Sequence, residues 1–399
     1  MLDKAQTIKD FIIQARRTIH EHPELGYQEI HTAQLVARHL DELGITCQTG
    51  IAKTGLVAEL KRGAGPTVLV RADMDALPIH EQTGLSYQSK TPGVMHACGH
   101  DAHTAMLLGV ARLLKEESFN GTIRLLFQPA EENNYDDPDG FSGAQRMIVE
   151  GALEGVDAAI GLHQMPTMPT GTITITTGSV MAATDFFEIT VTGKSSHAGM
   201  SHEAGIDAVV IAAELILSLQ TIVSRHIKAT ETAVLSVSTI EGGSAANVLA
   251  DKVRMTGNIR ALNEATRQRI LELIQARCDA FAAMYKTTIQ FKDFYSVPVT
   301  VNDANVAQIA SRSAFKIFGR DNVKENDTIM GAEDFAYIAQ KVPSCFALLG
   351  TQVANGEAHP LHSPKMLLNE EALPLGTAYL AQTALDLLVS LQISNTARK

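Results

Sequence analysis

The sequence predicts an α/β catalytic domain interrupted by an inserted α+β domain. Three observations predict it. Strand-like and helix-like segments alternate through about residue 164, the rhythm changes near Thr184 to strand–helix–strand–strand–helix–strand, and helical periodicity resumes after residue 304. Alternation of this kind implies a sheet, largely parallel, covered by helices. The second rhythm is that of a ferredoxin-like βαββαβ unit.

The elements follow in order. Residues 5–22 and 29–43 have apolar positions at helical spacing, broken by "HPELG" and "ELG". "TGLVAEL" (54–60) and "PTVLVRADMDALPI" (66–79) are β-like, and "AHTAMLLGVARLLKEE" (102–117) is a helix. Strand "GTIRLLFQPAEE" (121–132), helix "SGAQRMIVEGAL" (142–153) and strand "VDAAIGLHQ" (156–164) come next. The insert contains a strand at 184–193, a helix at 206–226, two strands, a helix at 266–285 and a last strand, "KTTIQFKDF". After it come a helix at 305–319, a loop-rich stretch and a closing helix from about Glu370 to Leu391. The expected domains are 1–184 with 295–399, and 185–294.

Composition excludes several classes. A net charge of −11 without a Lys/Arg stripe argues against nucleic acid as a partner. No apolar run is read as approaching a membrane span, and the N-terminus is read as an amphipathic helix rather than a signal peptide. Cys47, Cys98, Cys278 and Cys345 are sparse and far apart, which suits a reducing cytoplasm rather than a disulfide framework.

One stretch carries chemistry. "HACGHDAH" (96–103) packs His96, Cys98, His100, Asp101 and His103 into eight residues. Other metal-type groups stand at the ends of predicted strands, where open α/β sheets bind ligands: Asp73 and Asp75, Glu131 and Glu132, and His163. His362 in "HPLHSPK" is a further candidate. Alone, a strand-end Asp is a turn cap, and an "EE" pair is solvated surface. Together they outnumber the ligands of one tetrahedral zinc and suit two ions ~3.5–4 Å apart. Thiolate, imidazole and carboxylate favour zinc, with manganese, cobalt or nickel as alternatives. Adjacent carboxylates divide labour: one binds metal and its neighbour serves as general base. Asp101 is expected to cap the helix that follows, and His103 to be structural.

"RRTIHEHPELGYQE", "RADMDALPI", "HACGHDAHTAMLLG", "QPAEE", "GLHQMP", "SSHAGMSHEAGIDAV", "MGAEDF" and "LHSPKM" occur in this order. Together they resemble the aminoacylase/carboxypeptidase-type dinuclear metallopeptidases, in particular the amidohydrolase subfamily of N-acyl-amino-acid, hippurate and auxin-conjugate hydrolases. The resemblance implies that Cys98 bridges two divalent ions and that His100, Glu132, His163 and His362 complete the ligand set. It implies Glu131 as general base, with Arg71 in the place of a ligand histidine found in other branches and Asp73 in a supporting role at most. From the insert it implies His197, rather than His202, for the oxyanion, and Asn247 and Arg260 for the substrate carboxylate. It also implies that the insert acts as a lid and pairs two chains as a homodimer. The acidic stretch at 133–142 is longer than usual for the family and is expected to reshape the cleft rim.

The function expected is hydrolysis of N-acyl-L-amino acids or related amide conjugates to a carboxylic acid and a free amino acid. A dipeptidase or carboxypeptidase of the same fold is the first alternative. A non-catalytic metal-binding dimer is the second, opposed by the presence of Glu131 and every ligand. A zinc nucleobase deaminase is disfavoured because the "PCxxC" element is absent.

Overall fold

The computed structural model describes residues 1–133, 136–325, 327–354 and 357–397. The chain forms two compact units. One comprises Met1–Gly178, Val301–Asp327 and Asp334–Lys399, and the other Ser179–Thr300 with Thr328–Glu333.

The first unit is built on an eight-stranded sheet. Its order is Cys47–Ile51, Gly55–Arg62, Gly121–Gln128, Thr67–Asp73, Ala158–Pro169, Ser344–Gln352, Ile173–Thr174 and Val323–Lys324. The four strands from Gly121–Gln128 to Ser344–Gln352 run parallel, while the pairs at the Cys47 edge are antiparallel. Buried on both faces, the central strands read as near-continuous apolar runs, as in "VLVRAD". The helix His100–Lys115 is buried at every position except Arg112 and Lys115. It packs with Lys9–Glu21 and Leu373–Ala397 in one hydrophobic core.

Two strands depart from expectation. Cys47–Ile51 is an edge strand with an exposed middle. Ser344–Gln352 lies inside the stretch expected to be loop-rich, yet it is a central strand buried at every position but the last. Its apolar run lacks the alternation that marks a half-exposed strand, and periodicity alone does not identify a fully buried one. His163 does not end its strand, which continues to Pro169, although pairing with Thr67–Asp73 stops at Ile160.

The second unit is a four-stranded antiparallel sheet, ordered Ile289–Val297, Ala183–Thr192, Lys252–Ala261, Ala233–Gly242. The helices Ala208–His226 and Glu264–Tyr285 pack on it around Phe187, Ile189, Leu215 and Ile274. Asp207 and Asn263 cap these helices, their side chains accepting from backbone N–H groups of the first turn. The order 4-1-3-2 is that of a split βαβ unit.

By length and composition two helices, Ala208–His226 and Glu370–Ile393, are apolar enough to cross a membrane, with mean hydropathy 1.6 and 1.2. This corrects the expectation that no run approaches such a span. The second is 72% buried within the structure, as a core helix is.

Candidate metal centre and active site

The residues singled out in the first unit converge. Cys98, His100 and His163 form one group whose ligand atoms all lie within 4.8 Å of one another, and Cys98, Glu132 and His362 form another. Cys98 belongs to both. Its Sγ lies 3.3 Å from His163 Nε2, and His362 Nε2 lies 3.2 Å from Glu132 Oε1.

Local backbone explains the convergence. Gly99 has φ +89°, a left-handed turn that aims Cys98 and His100 at one point. A Cβ there would meet the Gln164 side chain at 2.5 Å. Gln164 in turn donates from Nε2 to the Cys98 carbonyl at 2.7 Å. His362 is also left-handed, at φ +64°, and its N–H donates to the Ala97 carbonyl at 2.9 Å. The ligand loops are thus tied to each other through main chain.

The imidazoles of His163 and His100 are oriented by their second nitrogens, as metal-binding histidines are. His163 donates from Nδ1 to the Gln164 carbonyl at 2.6 Å, leaving Nε2 toward Cys98. His100 donates from Nδ1 to Asp75 Oδ1 at 3.0 Å. Asp75 Oδ2 accepts the Glu132 backbone N–H at 2.9 Å, so one carboxylate fixes two proposed ligands.

Burial, with the neighbouring His103 and His100, holds His163 well below its ordinary pKa, as a neutral imidazole. Burial opposes charge on His100 too, but Asp73 and Asp75 outweigh it and raise the group to about 10. A proton and a cation therefore compete for Nε2. Burial and the Glu132 and Glu131 charges push the Cys98 thiol well up, and only a cation would make it a thiolate there. Burial acts against ionised Glu132, but His362 and His100 prevail and lower its pKa.

A divalent cation fits these groups. His100 Nε2 is buried without a hydrogen-bond partner among the described residues. Buried polar atoms are rarely left so. A soft sulfur, imidazoles and a carboxylate form a donor set suited to zinc and its neighbours.

Glu131 stands beside the candidate ligands, with Oε2 3.9 Å from His100 Nε2. Its Oε1 accepts the Asp334 backbone N–H at 3.3 Å. Asp334 is held by Arg71 at 2.8 Å and by Gln128 Nε2 at 2.8 Å, all three fully buried. Sequence reasoning did not find Asp75, Gln128 and Asp334 as supports; the "MGAEDF" motif marked Asp334 without giving it a task.

Asp73 stands beside His100, with Oδ2 3.8 Å from His100 Nε2, and forms a further candidate group with His100 and His103. Asp73 bonds His103 Nδ1 at 2.6 Å and Arg71 at 2.5 Å. Arg71 thus faces carboxylates and the Gln128 amide. Asp101 is not the N-cap, which is Gly99. Its carboxylate sits in the first helical turn, bound by Arg16 Nε at 2.9 Å and His20 Nδ1 at 2.8 Å. His96 is buried and joins no ligand group.

In the second unit, His197 is exposed and its Nδ1 accepts N–H bonds from Gly199 and Met200. Its segment pairs with that of Asn247 through a His197–Val248 bridge and an Ala198 N–H to Asn247 carbonyl bond at 3.0 Å. Arg260 lies on the strand Lys252–Ala261, half-buried, with its guanidinium 6.0 Å from the Phe186 ring and no ion pair among the described residues. His202 is exposed beside Glu203. Within the acidic stretch, residues 134 and 135 lie outside the described residues. Arg146 grips Asp137 and Asp139, and Tyr27 donates to the Phe141 carbonyl at 2.6 Å.

Two ligand groups meeting at one sulfur, with a carboxylate at their side, define the class as a dinuclear metallohydrolase. The model of peptidase family M20/M25/M40 matches residues 69–386. An N-acetylcysteine deacetylase of Bacillus subtilis (strain 168) is 39% identical over 98% of this chain and 100% of its own. IAA-amino acid hydrolase ILR1-like 5 of Arabidopsis thaliana is 40% identical over 96% of this chain and 88% of its own. Thermostable carboxypeptidase 1 of Saccharolobus solfataricus is 39% identical over 92% and 93%. Among solved structures, a dinuclear metal binding peptidase of the M20 family from Bacillus subtilis superposes with TM-score 0.82 at 35% identity, covering 96% of this chain and 99% of that one. The chain belongs to peptidase family M20/M25/M40.

Proposed function

We propose that the chain hydrolyses N-acyl-L-amino acids or related amide conjugates, releasing a carboxylic acid and a free amino acid. The observation that carries this reading is Cys98, shared by two ligand groups beside Glu131. Cys98, His100 and His163 would hold one divalent ion, and Cys98, Glu132 and His362 the other. Zinc or manganese is the expected metal, with cobalt or nickel as alternatives. When bound, such a pair polarises an acyl carbonyl and acidifies water.

Glu131 takes the proton from the attacking water and returns it to the leaving amine nitrogen. The Asp334 N–H and the Arg71–Gln128 framework behind it hold that carboxylate in place. His197 is assigned to the oxyanion, and Asn247 and Arg260 to the substrate carboxylate. Arg260, half-buried and without an ion pair among the described residues, has a fork to offer. The second unit is further assigned as a lid and as the element that pairs two chains. Four free cysteines support a cytoplasmic setting.

A carboxypeptidase or dipeptidase is the second reading, favoured by the archaeal carboxypeptidase relative. Turnover of acetyl- and aroyl-amino acids by the manganese- or zinc-supplemented protein, compared with turnover of dipeptides and blocked peptides, tests both. Preference for the peptides would replace the first reading with the second. No turnover of either set would remove both.

A further inference from the structure

The segment that carries Glu131 and Glu132 is bent at a non-glycine residue. Ala130 has φ +47°, in the left-handed region that disfavours an L side chain. Something must hold it there. The strand Gly121–Gln128 has ended, and no sheet partner takes the Ala130 N–H.

That N–H donates instead to Glu29 Oε1, at 2.8 Å. Glu29 lies at the start of the helix Ile30–Glu42 and is completely buried. Its other oxygen accepts the Thr54 hydroxyl. The Ala130 carbonyl accepts the Gly143 N–H at 2.8 Å. Gly26 packs so closely that a Cβ there would meet Ala130 Cα at 3.1 Å. One residue past Glu131, Asp75 holds the Glu132 N–H. Two buried carboxylates therefore grip the main chain on either side of Glu131, through Ala130 and Glu132. A lone carboxyl in such a place is costly: burial and the Asp75 charge push Glu29 up to about 7.

We propose that Glu29 is a positioning residue: by clamping the Ala130 N–H it holds the bend that sets Glu131 and Glu132 against the other ligands. It touches neither substrate nor metal. The inference rests on the hydrolase reading for its kinetic arm only.

The test uses the full chain and the variants Glu29→Ala, Glu29→Gln, Ala130→Gly and Glu29→Ala/Ala130→Gly. A misplacement of about 1 Å at a reacting group costs on the order of 100-fold. Glu29→Ala should thus lower kcat by ~10–100-fold with KM within about twofold, and should lose one of two ions on dialysis against a weak chelator, read by elemental mass spectrometry. Glu29→Gln keeps an acceptor for the Ala130 N–H, and its amide N–H donates to the Thr54 hydroxyl oxygen in place of the bond that Glu29 accepts, so it should restore kcat and ion content. Glycine adopts the left-handed bend without help, so the double variant should recover most of the loss.

Glu29→Ala with unchanged kcat per folded chain and two retained ions would overturn the inference. So would Glu29→Gln behaving like Glu29→Ala. If Glu29→Ala does not fold, Thr54→Val, which removes one bond to Glu29, takes its place, with a several-fold fall in kcat expected and no change refuting. A wild-type chain inert to all amides, together with ion loss in Glu29→Ala, would remove the proposed reaction and leave the clamp standing.

Discussion

Cys98 is the one residue common to both ligand groups, while His362 belongs to one. Removing each should therefore give different losses of metal-linked stability. With free metal at ~100 times its Kd, each bound ion stabilises the fold by about 2.7 kcal/mol, so two give about 5.4. Loss of a ligand weakens a site by at least ~100-fold, the upper end of what loss of a supporting hydrogen bond does. The increment of that site then falls to about 0.4 kcal/mol. At about 2 °C per kcal/mol for a unit of this size, metal should raise the melting temperature by ~11 °C in the wild type, ~6 °C in His362→Ala and ~2 °C in Cys98→Ala. The assay is differential scanning fluorimetry, run on chelator-stripped protein with and without zinc or manganese, with ion content measured in parallel. Without metal the Cys98 thiol is a neutral buried group, so chelated Cys98→Ala should melt close to the wild type, while His362→Ala also loses its ion pair with Glu132 and is compared by its metal-induced shift alone. Equal metal-induced shifts for the two variants, or two ions retained by Cys98→Ala, would refute the shared-sulfur reading.

Three further outcomes are expected. Glu131→Gln preserves an acceptor for the Asp334 N–H and should keep both ions while kcat falls by ~10²–10⁴, as steady-state kinetics would show. Arg260→Ala should raise KM for acyl-amino acids by ~10–100-fold, the worth of a charge-assisted hydrogen bond, with little change in folding, because no ion pair among the described residues is broken. His20 is buried, which lowers its pKa, but the bond to Asp101 outweighs this and raises it. Its contribution to stability is thus full below the ordinary histidine value of about 6.5 and is lost as pH rises through the raised value. In urea titrations of chelated protein from pH 5.5 to 8.5, His20→Gln should flatten that decline; an unchanged slope would contradict it.

Much of the candidate metal centre was legible because its groups sit in short, dense motifs. Cys98 and His100 flank a glycine, and Glu131 and Glu132 follow an apolar strand. The strand–helix order of both units was legible for the same reason, since half-buried elements leave a period in the sequence. What stayed hidden has a physical cause in each case. Ser344–Gln352 is buried on both faces and shows no alternation. Gln128 and Asp334 act on neighbours brought together only by the fold, so no spacing announces them, and Asp75 stood out as a strand-end carboxylate but not as the partner of His100. Asp101 looked like a helix cap because a cap and a first-turn acid differ by one or two positions, and Arg16 and His20, far back in the chain, claim its carboxylate.

The lateness of Ser344–Gln352 also matters for how the chain is made. Its register sets Ser344 opposite Ala159, so the strand Ala158–Pro169 leaves the ribosome long before its neighbour exists. At roughly 5–20 residues per second, that edge waits on the order of 10–40 s. Over that interval the insert can collapse around its own apolar cluster, whereas the nascent first unit carries an open, apolar ladder, which is where premature association between chains would begin.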